Sequence, residues 1–422
     1  MQGRSRGLIV AWIGLVITGG TFVGLAAFLT PWDALPAATS GASVTSYFTE
    51  AQIARSDEYF ARARWPSRIN LVIGLLAPVV LGFTTAGRFL VVAVRRRIRR
   101  WGFQVVGLAV VILGVQRLAT LPGAIWSERV ARAYGLSTRN WASWTLDVVK
   151  AWGLGVLITS VVLLLLVGLA RRFTRSWFLA AAVGAAALVV GGSFAYPVVI
   201  EPAFSRFTSL SPGPLRDSLL AMAQRDDVKV SDVLVADASR RTTALNAYVS
   251  GFGSTKRIVI YDTLLRSQTP DRQIELIVAH ELGHARRDDV LVGTLEGAAG
   301  SAAAVFALFI ALKPERLRRK LGAGSVGDPA IVPVVLALVA VASFLSLPVQ
   351  NTISRHIEAR ADLHSLELTR DPDAFIEMQQ RLAVTNLSHL KPNPVLSFWF
   401  SSHPPALVRI ALAQQWQRQR AS

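Results

Sequence analysis

Residues 271–286 read DRQIELIVAHELGHAR, a segment that combines a helical pattern with two histidines four residues apart. The Thr-Pro-Asp sequence at 269–271 offers an N-cap, a proline for the first helical position and an acid for the first turn. Residues i and i+4 share a helix face, so His280 and His284 can both bind one Zn²⁺. Glu281 lies beside them and can take a proton from a metal-activated water. The pattern predicts one zinc ion per chain; the alternative is accidental occurrence.

A catalytic zinc site needs a third protein ligand and keeps a fourth position open. No third histidine follows at the spacing typical of metzincins, so a downstream carboxylate is the other common ligand. Glu358 and Asp362 are four residues apart, directly after the last apolar segment. Glu358 can bind the metal while Asp362 orients a ligand imidazole. The alternative is a solvated acidic face on a surface helix.

The rest of the chain is unusually apolar for its charge. Its 422 residues are 52% hydrophobic and 17% charged, with a net charge of +18 and a mean hydropathy of +0.42. This balance argues against a soluble nucleic-acid binder and favours a multi-pass protein whose partner is the lipid bilayer. The absence of cysteine excludes disulfides and cysteine-ligated zinc.

Seven segments have roughly the 20-residue apolar length that crosses a membrane. They are Gly7–Thr30, Ile69–Gly87, Trp101–Gln116, Ala151–Ala170, Ser176–Ile200, Leu291–Leu312 and Ala330–Val349. The third is short and the least certain. The first could be a signal peptide, but its 24-residue apolar run favours a membrane anchor.

The expected fold is a mainly α-helical integral membrane protein of about seven transmembrane helices with a zincin-like α+β metalloprotease domain. Residues 1–200 would hold helices one to five, and residues 290–349 would hold helices six and seven. Residues 201–289 and 350–422 would form the two catalytic parts. The expected strands are Asp232–Val235, Asn246–Val249 and Arg257–Tyr261.

The chain resembles the type I CAAX prenyl endopeptidase family, polytopic membrane zinc proteases of the gluzincin kind. The resemblance covers about residues 196–413 and rests on five motifs in the same order. The first 195 residues match only in hydropathy and number of spans. The motifs are Glu201-Pro-Ala-Phe204, Asn246-Ala-Tyr248 with the segment 256–264, the HExxH pentad, Ser354-Arg355-x-x-Glu358-x-x-Ala361-Asp362, and Ser402-His403-Pro404-Pro405 with Arg409.

The resemblance implies roles for these residues. Glu358 becomes the third zinc ligand and Asp362 the partner of a ligand histidine. His403 and Arg409 would lie near the metal, where His403 could donate a hydrogen bond to the oxyanion; its alternative is a simple turn residue. Asn246 and Tyr248 would belong to an edge strand that pairs with extended substrate, or to an ordinary strand. Arg355 would support the metal site or the substrate.

Two positions depart from the eukaryotic members, which carry histidine where this chain has Ala244 and Asp289. Neither is a ligand position, so the departures bear on substrate preference. Glu296, an acid within the sixth span, could line a water-filled chamber or pair with Arg88 or Arg117. His356 is interpreted as structural, because it points about 200° away from Glu358 at 100° per residue.

Charge distribution and resemblance disagree on the orientation in the cell membrane. The short connections on one side hold 15 basic residues in 34, against nine in 72 on the other. The positive-inside rule then makes the active-site face extracytoplasmic, whereas the family implies a cytoplasmic one. Removing the third span would invert the charge argument.

The sequence therefore predicts a zinc metalloendopeptidase acting on membrane-associated or lipidated, prenyl-CAAX-like peptides or proteins. A quality-control protease for membrane proteins uses the same chemistry and is the second hypothesis. A non-catalytic transporter or channel with a degenerate zinc site is the third, and the intact set of His280, Glu281, His284 and Glu358 argues against it.

Overall fold

The computed structural model of the chain describes residues 2–36, 43–320 and 322–421. Most of these residues are helical. The helices are α1 (Gln2–Leu29), α2 (Glu50–Phe83), α3 (Thr85–Arg97), α4 (Trp101–Ala133), α5 (Trp141–Arg172), α6 (Trp177–Ala195), α7 (Glu201–Phe204), α8 (Pro214–Arg225), α9 (Asp262–Arg266), α10 (Asp271–Arg286), α11 (Asp289–Leu312), α12 (Glu315–Lys320), α13 (Val332–Thr369), α14 (Pro372–Thr385), α15 (Pro394–Phe400) and α16 (Ala406–Ala421). The strands are β1 (Phe207–Ser209), β2 (Val233–Ala236), β3 (Ala247–Ser250) and β4 (Arg257–Tyr261).

Within these ranges, seven helical segments are long and apolar enough to cross a membrane, as the sequence predicts. The short third candidate belongs to the 33-residue helix α4, which is ample to span the bilayer. The prediction that the second span reaches Gly87 is wrong. Helix α2 ends at Phe83, because Thr84 turns extended and its side chain accepts a hydrogen bond from Ala86, which starts α3.

The spanning helices pack in a continuous series. Helix α1 packs on α11, α11 on α6, α6 on α5, α5 on α4, α4 on α2, and α2 on α13. Helix α10 contacts both α13, which ends the series, and α11, which follows α1 at its beginning, so the helix with the histidine pair lies against both of these spanning helices. A hydrophobic cluster that includes Val105, Leu163, Trp177 and Leu312 holds several of these helices together.

The sheet has the strand order β1-β2-β4-β3, which leaves β3 at an edge. Strands β2 and β4 are parallel, whereas β1 pairs with β2 and β3 pairs with β4 antiparallel. The three expected strands are present within one residue of their expected bounds. Strand β1 was not expected, because three residues are too few to show alternation in the sequence.

One core joins the two polar parts of the chain. Leu276 and Val278 of α10 pack with Leu366 of α13, Phe375 of α14 and Ala413 of α16. Helix α13 is continuous over 38 residues and contains both the seventh span and Glu358. The expected division between residues 349 and 350 therefore falls inside one continuous helix, which holds the seventh candidate span and, further along, Glu358.

Candidate metal centre

Helix α10 presents the pentad as the spacing predicts. His280 is buried and His284 half-buried, and both rings lie on the face that meets α13. The predicted start of this helix is wrong by one residue. Asp271 is the first helical residue, and Pro270 occupies the cap position without a side-chain hydrogen bond. Pro270 is extended (ψ 140°), so the proline precedes the helix instead of opening it.

Three possible ligand side chains converge on one point. His280, His284 and Glu358 each offer one ligand atom, and these atoms lie within 4.8 Å of one another. The Nε2 atoms of the two histidines are 3.1 Å apart. Glu358 Oε2 is 3.2 Å from His280 Nε2, and Glu358 Oε1 is 3.6 Å from His284 Nε2.

The other ring nitrogen of each histidine faces a carboxylate. His280 Nδ1 lies 2.9 Å from Asp362 Oδ1, and His284 Nδ1 lies 2.9 Å from Asp289 Oδ2. A neutral imidazole that donates from Nδ1 keeps a lone pair on Nε2. Two such lone pairs 3.1 Å apart repel each other unless a proton or a metal ion lies between them. The donor set therefore fits a metal ion.

Each of these carboxylates is held in turn by an arginine. Arg409 donates to both oxygens of Asp362, with Nε 2.7 Å from Oδ2. Arg360 Nη2 donates to Asp289 Oδ1. The centre thus contains two chains of hydrogen bonds, each running from a ligand imidazole through a carboxylate to a guanidinium. Carboxylate partners of this kind fix the orientation of ligand histidines.

Asp289 is the contact that sequence reasoning missed. The sequence comparison with the family relates Asp289 only to substrate preference, yet its carboxylate contacts His284. The intervening turn brings it back: Asp288 adopts a left-handed conformation (φ 50°, ψ 40°), which ends α10 and lets α11 begin at Asp289. Lys256 fastens this turn by donating to Ala285 O and to Asp288.

The electrostatics of the centre favour positive charge at its middle. Burial opposes protonation of His280, but hydrogen bonds and charge from Asp362 and Glu358 raise its pKa to about 10. Surroundings that favour a proton so strongly also favour a metal cation. Burial raises the pKa of Glu281, against the lowering effect of both histidines and of the Val249 amide. A carboxylate with a raised pKa is a stronger base for accepting a proton from water.

Strand β3 runs beside Glu281. Its Val249 amide influences the Glu281 carboxylate, so the outer edge of the sheet opens onto the metal centre. Asn246 is exposed just before this strand. The side chain of Tyr248 lies on the sheet face opposite the buried Ala247 and lines a separate cavity of about 370 Å³ with Glu201 and Tyr261. The Tyr248 side chain is therefore turned away from the ligands.

His403 reaches the centre and Arg355 does not. His403 Nε2 lies 3.4 Å from Glu358 Oε2, and its Nδ1 is 2.9 Å from Ser402 Oγ. The His403 side chain is 61% exposed, which leaves it accessible to a substrate. Arg355 Nη1 donates to the backbone oxygens of Ser397 and Ser401. Arg355 thus holds the segment that leads to His403.

His356, His364 and Glu296 lie outside the metal centre and contact other parts of the fold. His356 packs edge-on against Trp32, and His364 Nε2 lies 2.8 Å from Asp226 Oδ2. Glu296 is buried in α11, and its Oε1 has no hydrogen-bond partner among the described residues. The described side chains show no ion pair between Glu296 and either Arg88 or Arg117.

Comparison with known families covers most of the chain. The sequence model of peptidase family M48 matches residues 211–417. A second model, described as the CAAX prenyl protease N-terminal region with five membrane helices, matches residues 35–206. Together the two matches include every residue of the candidate metal centre and all the candidate spanning helices of the described residues except α1.

Individual relatives agree with these matches. The uncharacterized metalloprotease YhfN of Bacillus subtilis is 30% identical over 92% of both chains. CAAX prenyl protease 1 of Saccharomyces cerevisiae is 27% identical over 69% of this chain and 68% of its own. The alignment with the rice CAAX prenyl protease 1 homolog, at 31% identity, spans about half of each protein. The crystal structure of S. mikatae Ste24p has the same fold, with a TM-score of 0.77, 20% identity, and coverage of 97% of this chain and 98% of that one.

Proposed function

This chain belongs to peptidase family M48 and is a multi-pass membrane metalloprotease, and on that basis we propose that it is a zinc-dependent endopeptidase of the gluzincin type. The observation that carries the proposal is the convergence of His280, His284 and Glu358, with each histidine oriented by its own carboxylate. Two imidazoles and one glutamate are a ligand set that catalytic zinc uses, with a fourth position left for water or substrate.

The proposed roles follow from the positions of the side chains. A bound zinc ion would supply Lewis acidity at the carbonyl to be cleaved and would acidify a water molecule. Glu281 accepts the proton of the attacking water, for which its raised pKa suits it. His403, exposed beside Glu358, donates a hydrogen bond to the oxygen that becomes negative during the attack. Asp362, Asp289, Arg409 and Arg360 hold the two ligand imidazoles in place.

The proposed substrates are peptides or proteins at the membrane, including those with a C-terminal prenyl group. Relatives named CAAX prenyl protease support this class of substrate. The position of β3 at the edge of the sheet supports a binding mode in which an extended peptide adds to the sheet next to Glu281. Asn246 and the backbone at Tyr248 would take part in this pairing.

The experiment compares one peptide in two forms. Purified protein in lipid nanodiscs receives a C-terminal cysteine peptide with and without a farnesyl group, and products are identified by mass spectrometry. Faster cleavage of the farnesylated form is expected, with loss of activity on chelation and recovery with zinc. Equal cleavage of both forms, together with cleavage of unfolded membrane proteins, would favour the quality-control role. Activity that survives complete metal removal would contradict the metalloprotease assignment.

We also propose that the catalytic parts, residues 201–289 and 350–422, lie on the extracytoplasmic side. The support is the excess of basic residues in the connections at the other ends of the spanning helices. Helix α4 is long enough to span, so the charge argument keeps its seven-span premise. This orientation is opposite to the one that the family resemblance implies.

A further inference from the structure

A second cavity of about 370 Å³ lies at the ends of the spanning helices far from the metal centre. Its walls come from the end of α5, the start of α6, the end of α11, helix α12 and the connection that precedes α13. Helix α11 runs from the metal centre to this cavity. Asp289 at its first residue contacts His284, and Leu312 at its last residue lines the cavity, about 36 Å away at 1.5 Å per residue.

The inner wall of this cavity is apolar. Trp177, Phe309 and Leu312 contribute to it, and all three belong to the hydrophobic cluster between the spanning helices. The rings of Trp177 and Phe309 are 5.7 Å apart. These side chains are packed among the spanning helices, so the wall is preformed, and Phe309 keeps the most accessible surface of the three.

The rim of the cavity is cationic. Lys313 Nζ lies 5.3 Å from the centre of the Phe309 ring. Arg318 Nη1 donates to Leu312 O at 2.6 Å and to Lys313 O at 2.7 Å, which leaves its Nε and Nη2 groups for another acceptor. Within the described part of the chain, neither cation is paired with a carboxylate, whereas the neighbouring Arg95 is paired with Asp328. Glu315 also lines the rim and offsets part of this charge.

We propose that this cavity binds an anionic phospholipid. Lys313 and Arg318 would contact the phosphate, and the glycerol end of the acyl chains would lie against the exposed part of Phe309. The cavity is formed where four spanning segments end, which is the depth of lipid headgroups in a bilayer. Basic pockets between transmembrane helices bind such headgroups. A free phosphate ion would use the cationic rim but gain nothing from the aromatic wall.

The test measures lipid retention by the full-length protein in detergent. Phosphatidylglycerol or phosphatidylcholine is added, and native mass spectrometry counts the bound lipid while a thermal scan follows unfolding. The variant K313Q removes the cation that lies over the Phe309 ring. R316Q is the control, because Arg316 lies only three residues further along the chain, is exposed on α12 and does not line the cavity.

Phosphatidylglycerol is expected to be retained in preference to phosphatidylcholine and to raise the unfolding midpoint of the wild type. K313Q should weaken that retention about fivefold, and R316Q should leave it unchanged. Equal retention of both lipids, or equal effects of K313Q and R316Q, would overturn the proposal. A midpoint shift obtained with inorganic phosphate alone would also overturn it, because the site would then be one for a soluble anion.

Discussion

The two histidines of the pentad have matched supports that come from different places in the chain. Asp362 orients His280 from α13, and Asp289 orients His284 from the start of α11. The Glu358–Asp362 pair could be found from its four-residue spacing. Asp289 could not be found in that way, because it follows a left-handed residue that interrupts the helix. Its signal in the sequence is a carboxylate five residues after the second histidine.

Replacing Asp289 with asparagine should weaken metal binding about 10- to 100-fold. The amide keeps the shape of the side chain but removes the charge that favours the donating Nδ1–H of His284. Competition with a zinc chelator measures the affinity directly. The matched control is D271N, since Asp271 is exposed in the first turn of α10, at the end of that helix away from the metal centre. Equal metal affinity in D289N and wild type would refute the orienting role.

His403 should matter to the reaction and not to the metal. Substitution of His403 by phenylalanine removes the proposed donor to the oxyanion, and we expect a 10²- to 10³-fold fall in kcat with unchanged zinc content. Steady-state kinetics and metal analysis of the same preparation test this. A normal kcat would identify His403 as a turn residue, and loss of zinc would identify it as part of the metal site.

At the scale of elements, the close contact between α10 and α13 sets the distance between the histidines and Glu358. A Cβ added at Gly283 of α10 would lie 3.0 Å from the Cβ of His364 on α13. His364 is anchored by Asp226, so it has little freedom to move away. The glycine in the pentad is therefore a packing requirement, which the sequence pattern alone does not reveal.

The variant G283A should be less stable, because overpacking of about 1–3 kcal/mol outweighs the gain of up to about 1 kcal/mol in helix propensity. The thermal unfolding midpoint should fall, and zinc affinity should fall with it as the two helices separate. G293A in α11 is the control, because a Cβ there meets no other atom within 4 Å. A thermal unfolding midpoint for G283A at or above that of G293A would contradict this, because it would show that α13 can move away to make room for the added methyl group.

Sequence reasoning worked best where one periodic signal covered a whole element. Apolar length predicted the spans, and three of the four strands lie within one residue of their expected bounds. It failed at ends and contacts, such as the break at Thr84 and the pairing of His364 with Asp226. These depend on local capping and on residues distant in the chain, neither of which leaves a periodic trace.

At the scale of the whole molecule, the net charge of +18 is distributed unevenly between the two ends of the spanning helices. The proposed orientation can be tested with single cysteines, because the natural chain has none to label. R266C lies on the catalytic side, where the Arg266 side chain is 72% exposed, and R316C lies at the opposite end. A membrane-impermeant maleimide should label R266C in intact cells and R316C only after permeabilisation. The reverse pattern would place the metal centre in the cytoplasm.

The central claim is that Glu281 accepts the proton of a water molecule activated by a metal that His280, His284 and Glu358 hold. The most direct measurement is made on E281Q, with zinc content and peptide cleavage determined on one preparation. The expected result is a full zinc content with cleavage reduced at least about 10²- to 10⁴-fold, since the amide cannot accept that proton. Wild-type cleavage by E281Q with zinc bound would contradict the claim.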